Sequence, residues 1–228
     1  MTANPIVSLP FRDRSEAGRL LAERLRFYAG RPDTVVFALP RGGVPVAAEI
    51  AEALQVPLFV FVVRKLGVPG REELAMGAIT SGGKRLISRD ITTTLNIPES
   101  EIDQVTRQET RELLRRERLY SRGLPMPDVT NKIVILVDDG IATGSSMVLA
   151  VQALRDREAG RIVVAVPVAP AGVASQLGCL ADEVVCLAAP EPFAAVGQWY
   201  QDFVQVTDHE VCCILDHLIE RTPELQPA

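Results

Sequence analysis

The apolar positions of this chain gather into five short, nearly continuous runs that are rich in β-branched residues. The runs are Thr34 to Pro40, Leu58 to Val63, Lys132 to Asp138, Arg161 to Val168 and Glu183 to Ala188. Short apolar runs without polar alternation are typical of parallel strands that are covered on both faces. The pattern therefore predicts a five-stranded, mostly parallel sheet between layers of helices.

Segments with a helical spacing of apolar residues separate these runs. Residues 43–55 place Val46, Ile50 and Leu54 on one face, as a helix packed on a sheet does. Residues 145–160 have the same character, and Gly160 is expected just beyond the end of that helix. The alternation predicts a doubly wound α/β domain whose ligands bind at the carboxyl ends of the strands.

Residues 64–88 depart from this alternation. They contain Gly and Pro punctuation and two short strand-like pieces around the sequence SGG. This pattern predicts a mobile loop followed by a hairpin, with the flexible part at residues 65–85. Closure of its Gly67 to Leu74 stretch would make this segment a lid over a ligand.

Residues 98–122 are polar and interrupt the core as a predicted long inserted helix. Its sparse apolar stripe consists of Ile102, Val105, Leu113 and Leu114. A charge-rich helix of this kind usually turns its polar side to solvent, and the alternative is a surface for a partner.

Length, composition and charge limit the class of protein. The chain has 228 residues, 47% of them hydrophobic, and a net charge of −5. These values fit one globular domain over residues 1–228, with its core at residues 32–190. An acidic chain is a poor nucleic-acid binder, because that function requires a basic surface.

The N-terminal sequence has no signal-peptide pattern, and no apolar run approaches the about 18 residues of a membrane span. We therefore expect a cytoplasmic protein that binds neither membrane nor nucleic acid, and we leave open whether it forms a homodimer. The four cysteines, Cys179, Cys186, Cys212 and Cys213, lack the spacing of a zinc site and are expected to be buried thiols.

The stretch Val134 to Met147, VILVDDGIATGSSM, combines features that one ligand could explain. Asp138 and Asp139 end a strand-like run, and the small and hydroxyl-bearing residues Ala142 to Ser146 open a helix. Free N–H groups at a helix N-terminus bind phosphate, whereas two carboxylates suit sugar hydroxyls or a divalent cation. A sugar phosphate fits both halves, while an ordinary strand end with a helix cap explains only part of the string. The P-loop and dinucleotide spacings are both missing from this stretch.

The same stretch resembles the 5-phosphoribosyl-1-pyrophosphate (PRPP) signature of type I phosphoribosyltransferases. The resemblance implies their fold, in which the terminal segments at residues 10–25 and 191–203 form a small hood. In that fold Asp138 and Asp139 bind the ribose hydroxyls and the following turn binds the 5′-phosphate. The implied PRPP-binding residues are Asp138, Asp139, Gly140, Ala142, Thr143, Gly144, Ser145 and Ser146. It also implies Mg²⁺ as cofactor, held by Asp138 and Asp139 directly or through water.

Two further segments resemble parts of that family. ALPRGGVPVAAEIA is similar to its pyrophosphate loop, in which a strained, sometimes cis, peptide would involve Arg41, Gly42 and Gly43. Arg64 and Lys65 stand where the family has basic residues near the pyrophosphate. The resemblance implies catalytic roles for Arg41, Lys65 and Asp139. Taken alone, RGG could be a helix-entry turn, and Arg64 and Lys65 a solvated basic pair.

The acceptor is not determined by the sequence. The aromatic cluster of Phe193, Trp199, Tyr200 and Phe203 either stacks on a flat base or pins the C-terminal segment to the core. Ala142 stands where the 6-oxopurine enzymes of the family have an Asp, which argues against a hypoxanthine-guanine mechanism.

The resemblance implies a phosphoribosyltransferase that moves the phosphoribosyl group from PRPP to a nucleobase or similar small-molecule acceptor. The alternative is a PRPP-binding regulatory or sensor domain without transfer. A response-regulator-like site is disfavoured, because the first strand ends in PRGG instead of an acidic cluster.

Overall fold

The computed structural model describes residues 8–221, apart from the side chain of Glu73. The outermost residues of the predicted domain lie outside this range. A five-stranded parallel sheet forms the centre of the structure. Its strands are β1 (Thr34–Ala38), β2 (Leu58–Val60), β6 (Ile133–Val137), β7 (Arg161–Val168) and β8 (Glu183–Ala188). Their order in the sheet is β2-β1-β6-β7-β8. The predicted doubly wound parallel sheet is confirmed.

Helices cover both faces of this sheet. They are α1 (Arg14–Arg24), α2 (Gly43–Leu54), α3 (Arg89–Thr94), α4 (Glu99–Ser121), α5 (Ser145–Asp156), α6 (Ala171–Gly178) and α7 (Asp208–Arg221). Val36 and Ile135 pack with α1, α2 and α7, whereas their neighbours Phe37 and Leu136 pack with α5 and α6. Successive residues thus alternate between two cores, which is why both kinds of position are apolar. None of the helices within residues 8–221 is long and apolar enough to cross a membrane.

The helix after β6 ends earlier than predicted. α5 stops at Asp156, and Glu158 adopts the left-handed conformation with φ of 59°. Gly160 is therefore not the residue that terminates the helix. A Cβ on Gly160 would lie 2.8 Å from the Asn131 carbonyl, so this glycine allows a close approach to the chain before β6.

Residues 63–87 form regular structure where a mobile loop was expected. β3 (Val63–Val68), β4 (Arg71–Thr80) and β5 (Arg85–Ile87) make an antiparallel sheet, which confirms the predicted hairpin around SGG. Leu66, Met76 and Ala78 are buried at alternating positions, and this burial favours strands. Pro69 and Gly70, and likewise Gly82 and Gly83, lie in the tight turns between the strands, whereas Gly67 and Gly77 lie within strands. Movement of this segment as a lid stays a prediction.

α4 is the long inserted helix that the sequence predicts, and it packs on β3, β4 and α7. Ile102 and Leu113 are each 3% exposed, and Val105 packs beside them. Leu114, however, is 43% exposed and does not belong to the apolar stripe. Adjacent helical residues point about 100° apart, so Leu113 and Leu114 cannot both face the core.

The two terminal segments that were expected to form the hood, at residues 10–25 and 191–203, meet beside β7 and β8. The Phe11 N–H donates to the Trp199 carbonyl at 2.8 Å, and the Gln201 N–H donates to the Phe11 carbonyl at 2.7 Å. Phe11 and Tyr200 pack together against Val168. We call this pairing of chain ends the hood.

The four cysteines are less buried than the sequence predicts. Cys179 and Cys213 are exposed, and Cys186 and Cys212 are half-buried. The expectation of four buried thiols is wrong, because three of these residues lie on or beside the outer helices α6 and α7 rather than inside the sheet layer.

Candidate active site

Two predicted motifs lie against each other at the carboxyl edge of the sheet. Ala38 of β1 pairs with Val137 of β6, so the turns that follow these strands are neighbours. A Cβ on Gly42 would lie 1.9 Å from Asp139 Oδ2, and one on Gly43 would lie 2.9 Å from the Asp138 Cα. Only glycine fits at either position. The RGG turn and the acidic pair therefore form one interlocked structure.

The peptide bond between Pro40 and Arg41 is cis. This bond immediately precedes Arg41, Gly42 and Gly43, the three residues that were expected to have an unusual backbone. The turn then enters α2, where the Gly43 N–H donates to the Leu39 carbonyl at 3.1 Å. The structure thus shows an irregular entry to α2, as the resemblance implies.

The two acids are held differently. Asp138 Oδ1 accepts the backbone N–H of Asp139 at 2.9 Å, whereas Asp139 Oδ2 accepts from Arg14 Nε at 2.8 Å. The Arg14 and Asp139 side chains are only 11% and 14% exposed. Burial raises the pKa of both carboxyls above the ordinary value, and the charge of Asp139 raises the pKa of Asp138 further. Arg14 opposes this rise at Asp139.

The turn between β6 and α5 is an open cradle. Gly144 is the N-cap residue of α5, with φ of 75°, and no side chain caps the helix. Thr143 and Ser145 are exposed, with their hydroxyl oxygens 3.2 Å apart, and Ser146 is half-buried. The first N–H groups of a helix have no intrahelical acceptor, so this end can bind an anion.

Gly140 positions this cradle. A Cβ on Gly140 would lie 2.5 Å from Val196 Cγ1 and 2.9 Å from Val168 Cγ2. The Ile141 N–H also donates to the Val168 carbonyl at 2.9 Å. The turn is therefore pinned to β7 and to the hood, while the exposed Ala142 faces outward.

The arginines predicted to bind pyrophosphate already have carboxylate partners. Arg64 Nε donates to Glu109 Oε2 of α4 at 2.7 Å. Arg41 Nη1 lies 3.6 Å from Asp208 Oδ1 at the start of α7. Asp208 also accepts from the Tyr120 hydroxyl at 2.7 Å, and this bond is the main cause that lowers its pKa. Both arginines are thus neutralised by an acid from outside the core sheet.

Lys65 differs from both arginines. It is exposed on β3, and no carboxylate within the described residues pairs with it. Successive residues of a strand point to opposite faces, so Arg64 and Lys65 do not share a face of the hairpin. The two side chains therefore point in different directions, and their common role at the pyrophosphate stays a prediction.

The aromatic cluster supports the acidic pair. Tyr200 is 6% exposed, and its hydroxyl donates to the Asp139 carbonyl at 2.5 Å. Its ring stacks on Phe203 with centroids 5.0 Å apart, and the Arg14 guanidinium lies 3.9 Å from the Phe203 centroid. Trp199 is half-buried, with its ring 6.0 Å from that of Phe193. Packing accounts for Tyr200 and Phe203, and an acceptor role for this cluster stays a prediction.

Three residues of this arrangement were not found from the sequence: Arg14, Glu109 and Asp208. Arg14 is separated from Asp139 by 125 positions. Glu109 lies among many charged residues of α4, and Asp208 begins a helix as an ordinary first-turn acid. Charge and spacing alone carry no signal that would select them.

A model of the phosphoribosyl transferase domain family matches residues 14–178. The chain belongs to that family. The match includes both turns of the site, α4 and the antiparallel hairpins, and it confirms the resemblance to phosphoribosyltransferases.

Similar proteins agree with this assignment. Two Mycobacterium tuberculosis proteins, each named "Putative phosphoribosyl transferase", are 47% identical over 206 residues, which is 90% of this chain. The chain spans 46% of the length of these relatives. The crystal structure of TT1426 from Thermus thermophilus is similar, with 42% identity and a TM-score of 0.78, over 91% of this chain and 98% of TT1426.

Proposed function

We propose that this protein transfers the 5-phosphoribosyl group of PRPP to a nucleobase or similar nitrogenous small molecule, with release of pyrophosphate. One observation carries the proposal in a chain of this family. The acids Asp138 and Asp139 lie beside an uncapped helix N-terminus and directly against the glycines of the RGG turn. This arrangement provides separate places for sugar hydroxyls, a phosphate monoester and a second anion.

In the proposed complex the ribose hydroxyls donate to Asp138 and Asp139. The 5′-phosphate accepts from the N–H groups and hydroxyls of Thr143, Ser145 and Ser146, at the exposed end of α5. The leaving pyrophosphate lies near the RGG turn, whose Gly42 and Gly43 bring its backbone directly against the acidic pair. Both ends of PRPP are thus held while its reactive carbon lies between them.

The reaction breaks the bond from C1 to the pyrophosphate oxygen, forms a bond from C1 to the acceptor nitrogen and releases the proton of that nitrogen. The electron pair of the broken bond leaves with pyrophosphate, and positive charge develops on the ribose ring. Lys65 and Arg41 would stabilise the leaving group, and Asp139 would hold the sugar in position. Arg64 contributes in the same way once it exchanges Glu109 for phosphate.

The acidic pair also fits the Mg²⁺ that the family resemblance implies. Mg²⁺ favours hard oxygen donors and is usually held by one or two carboxylates together with substrate phosphates. No cluster of three or more His, Cys, Asp or Glu able to hold a metal occurs within residues 8–221. Asp138 and Asp139 would therefore hold the ion together with PRPP. When bound, Mg²⁺ supplies neutralisation of the pyrophosphate charge.

The second candidate function is a PRPP-binding regulatory or sensor domain. It is favoured by the carboxylate partners of Arg41 and Arg64, since cations that stay paired cannot assist a leaving group. Under either function we propose a cytoplasmic protein whose ligands are small molecules, without nucleic acid or membrane, and which can act as a homodimer.

Pyrophosphate release separates these functions. The protein is incubated with PRPP, Mg²⁺ and one base at a time from a panel of purines and pyrimidines, and free pyrophosphate is measured. The proposed transferase releases pyrophosphate with at least one base, above the level without a base. Thermal stabilisation by PRPP without any release would favour the sensor domain. If PRPP causes neither pyrophosphate release nor thermal stabilisation, that result would contradict PRPP binding altogether.

A further inference from the structure

Arg14 links the hood to the acidic pair. Its Nε donates to Asp139 Oδ2 at 2.8 Å, its Nη1 donates to the Val204 carbonyl at 2.9 Å, and its guanidinium lies over Phe203. Its side chain is 11% exposed. A guanidinium held at three points has one orientation, so the carboxylate that it contacts is held as well.

The hood holds the same acid a second time through Tyr200. The Tyr200 hydroxyl donates to the backbone carbonyl of Asp139 at 2.5 Å. Burial raises the pKa of this phenol, so it acts as a neutral donor. Asp139 is thus fixed at both its backbone and its side chain by residues from opposite ends of the chain. The contact with Arg14 uses Oδ2 of Asp139, and the neighbouring Asp138 side chain also interacts with this carboxylate.

A purely structural ion pair is the alternative explanation. Buried ion pairs add little net stability, because desolvation offsets most of the attraction between the charges. Partners outside the ligand shell, by contrast, commonly orient the carboxylates that bind a ligand or metal. Arg19, five residues later on α1, pairs with Glu49 at 3.1 Å and is 51% exposed. It shows what an ordinary surface pair on this helix looks like.

We propose that Arg14 is a positioning residue for the ribose, and this proposal rests on the proposed function. It occupies Oδ2 of Asp139 and so orients this carboxylate for a sugar hydroxyl, and Tyr200 holds the backbone of the same residue. α1 then takes part in binding PRPP, in addition to its place in the hood.

The test compares three ligands in the full chain. Affinities for PRPP with Mg²⁺, for ribose 5-phosphate and for pyrophosphate without Mg²⁺ are measured by calorimetry. The variants are Arg14→Met, which keeps an apolar stem, Arg14→Lys, Tyr200→Phe and the control Arg19→Met.

Arg14→Met is expected to weaken PRPP and ribose 5-phosphate by about 10- to 100-fold. Pyrophosphate affinity stays unchanged, because pyrophosphate without Mg²⁺ does not contact Asp139. Arg14→Lys restores part of the loss, and Tyr200→Phe weakens both ribose ligands by about fivefold, the equivalent of one neutral hydrogen bond. Arg19→Met binds all three ligands as the unaltered protein does.

Two results would overturn the positioning role: unchanged ribose 5-phosphate affinity in Arg14→Met, or an equal loss for all three ligands. If Arg14→Met does not fold, Arg14→Lys and Tyr200→Phe decide by the same split between ribose ligands and pyrophosphate. Failure of the unaltered protein to bind either ribose ligand would instead contradict the proposed function.

Discussion

The two halves of the candidate site differ in how their charged groups are held. On the ribose side, Asp139 is fixed by Arg14 and Tyr200, and the end of α5 lies open beside it. On the pyrophosphate side, Arg41 and Arg64 are each paired with an acid, Asp208 or Glu109. The first half is arranged to receive a ligand, whereas the second must exchange one anion for another.

This difference indicates an order of binding. A ribose phosphate can bind without displacing a carboxylate from its cation, but pyrophosphate competes with Glu109 for Arg64. Those acids keep half-buried arginines paired, and an unpaired buried charge would be costly. We therefore expect the ribose phosphate to anchor PRPP and the pyrophosphate side to adjust afterwards.

The largest effect is expected from removing both acids of the ribose side. Asp138→Asn combined with Asp139→Asn should weaken PRPP by more than about 100-fold, since each hydrogen bond to a charged group contributes about 1.5–3 kcal/mol. Calorimetry measures the affinity, with Asp216→Asn on the surface of α7 as the control. Unchanged PRPP affinity in the double variant would show that the ribose side is wrongly assigned.

Lys65 tests whether the unpaired cation acts on the leaving group. Lys65→Ala should lower kcat by roughly 10- to 100-fold, somewhat less than the loss of a fully preorganised donor, because Lys65 is exposed. Its melting temperature should change little. The matched control is Lys132→Ala, because Lys132 directly precedes β6 at the end of that strand away from Asp138 and Asp139. A collapse in melting temperature with normal specific activity would mean that Lys65 is structural.

Glu109 tests whether the pyrophosphate side is restrained by its own acids. Glu109→Gln leaves Arg64 without a charged competitor, so pyrophosphate affinity should rise about fivefold, the equivalent of about 1 kcal/mol. Glu101→Gln makes the same charge change on the exposed first turn of α4 and should have no effect. Weaker pyrophosphate binding in Glu109→Gln would indicate that Glu109 instead orients Arg64 productively.

The smallest effect concerns stability. Because burial raises the pKa of Asp138 above its value in the unfolded chain, the folded chain binds more protons at a pH between these two pKa values. Stability therefore falls as pH rises from the unfolded pKa to the folded one. Asp138→Asn removes the cost of keeping a charged carboxylate buried and should raise Tm at pH 7. Each kcal/mol of stability gained corresponds to a rise of about 2–4 °C. The gain should vanish below about pH 4, where unfolded Asp is protonated. A lower Tm at pH 7 would contradict the direction of the pKa shift.

Sequence patterns predicted most of the sheet, because strands buried on both faces require apolar residues throughout, as in β1 and β6. The acidic pair and the turn after it were also readable, because they are contiguous. The hairpin of β3 and β4 was missed, because Gly and Pro were given more weight than the alternation around Leu66 and Met76.

The partners of the site could not be predicted in the same way. Arg14 meets Asp139 only because the chain ends fold together through Phe11 and Tyr200. Glu109 is one of several acids on α4, and its contact with Arg64 depends on how that helix crosses β3. Such long-range ion pairs have no periodicity that a sequence could display.

A crystal structure of the protein with PRPP and Mg²⁺ tests the central claim most directly. The account predicts the 5′-phosphate within hydrogen-bond distance of the Thr143 to Ser146 backbone N–H groups. It also predicts the ribose hydroxyls on Asp138 and Asp139, with Arg14 still bound to Asp139 Oδ2. PRPP bound elsewhere, or bound in the reverse direction with its pyrophosphate at the end of α5, would contradict it.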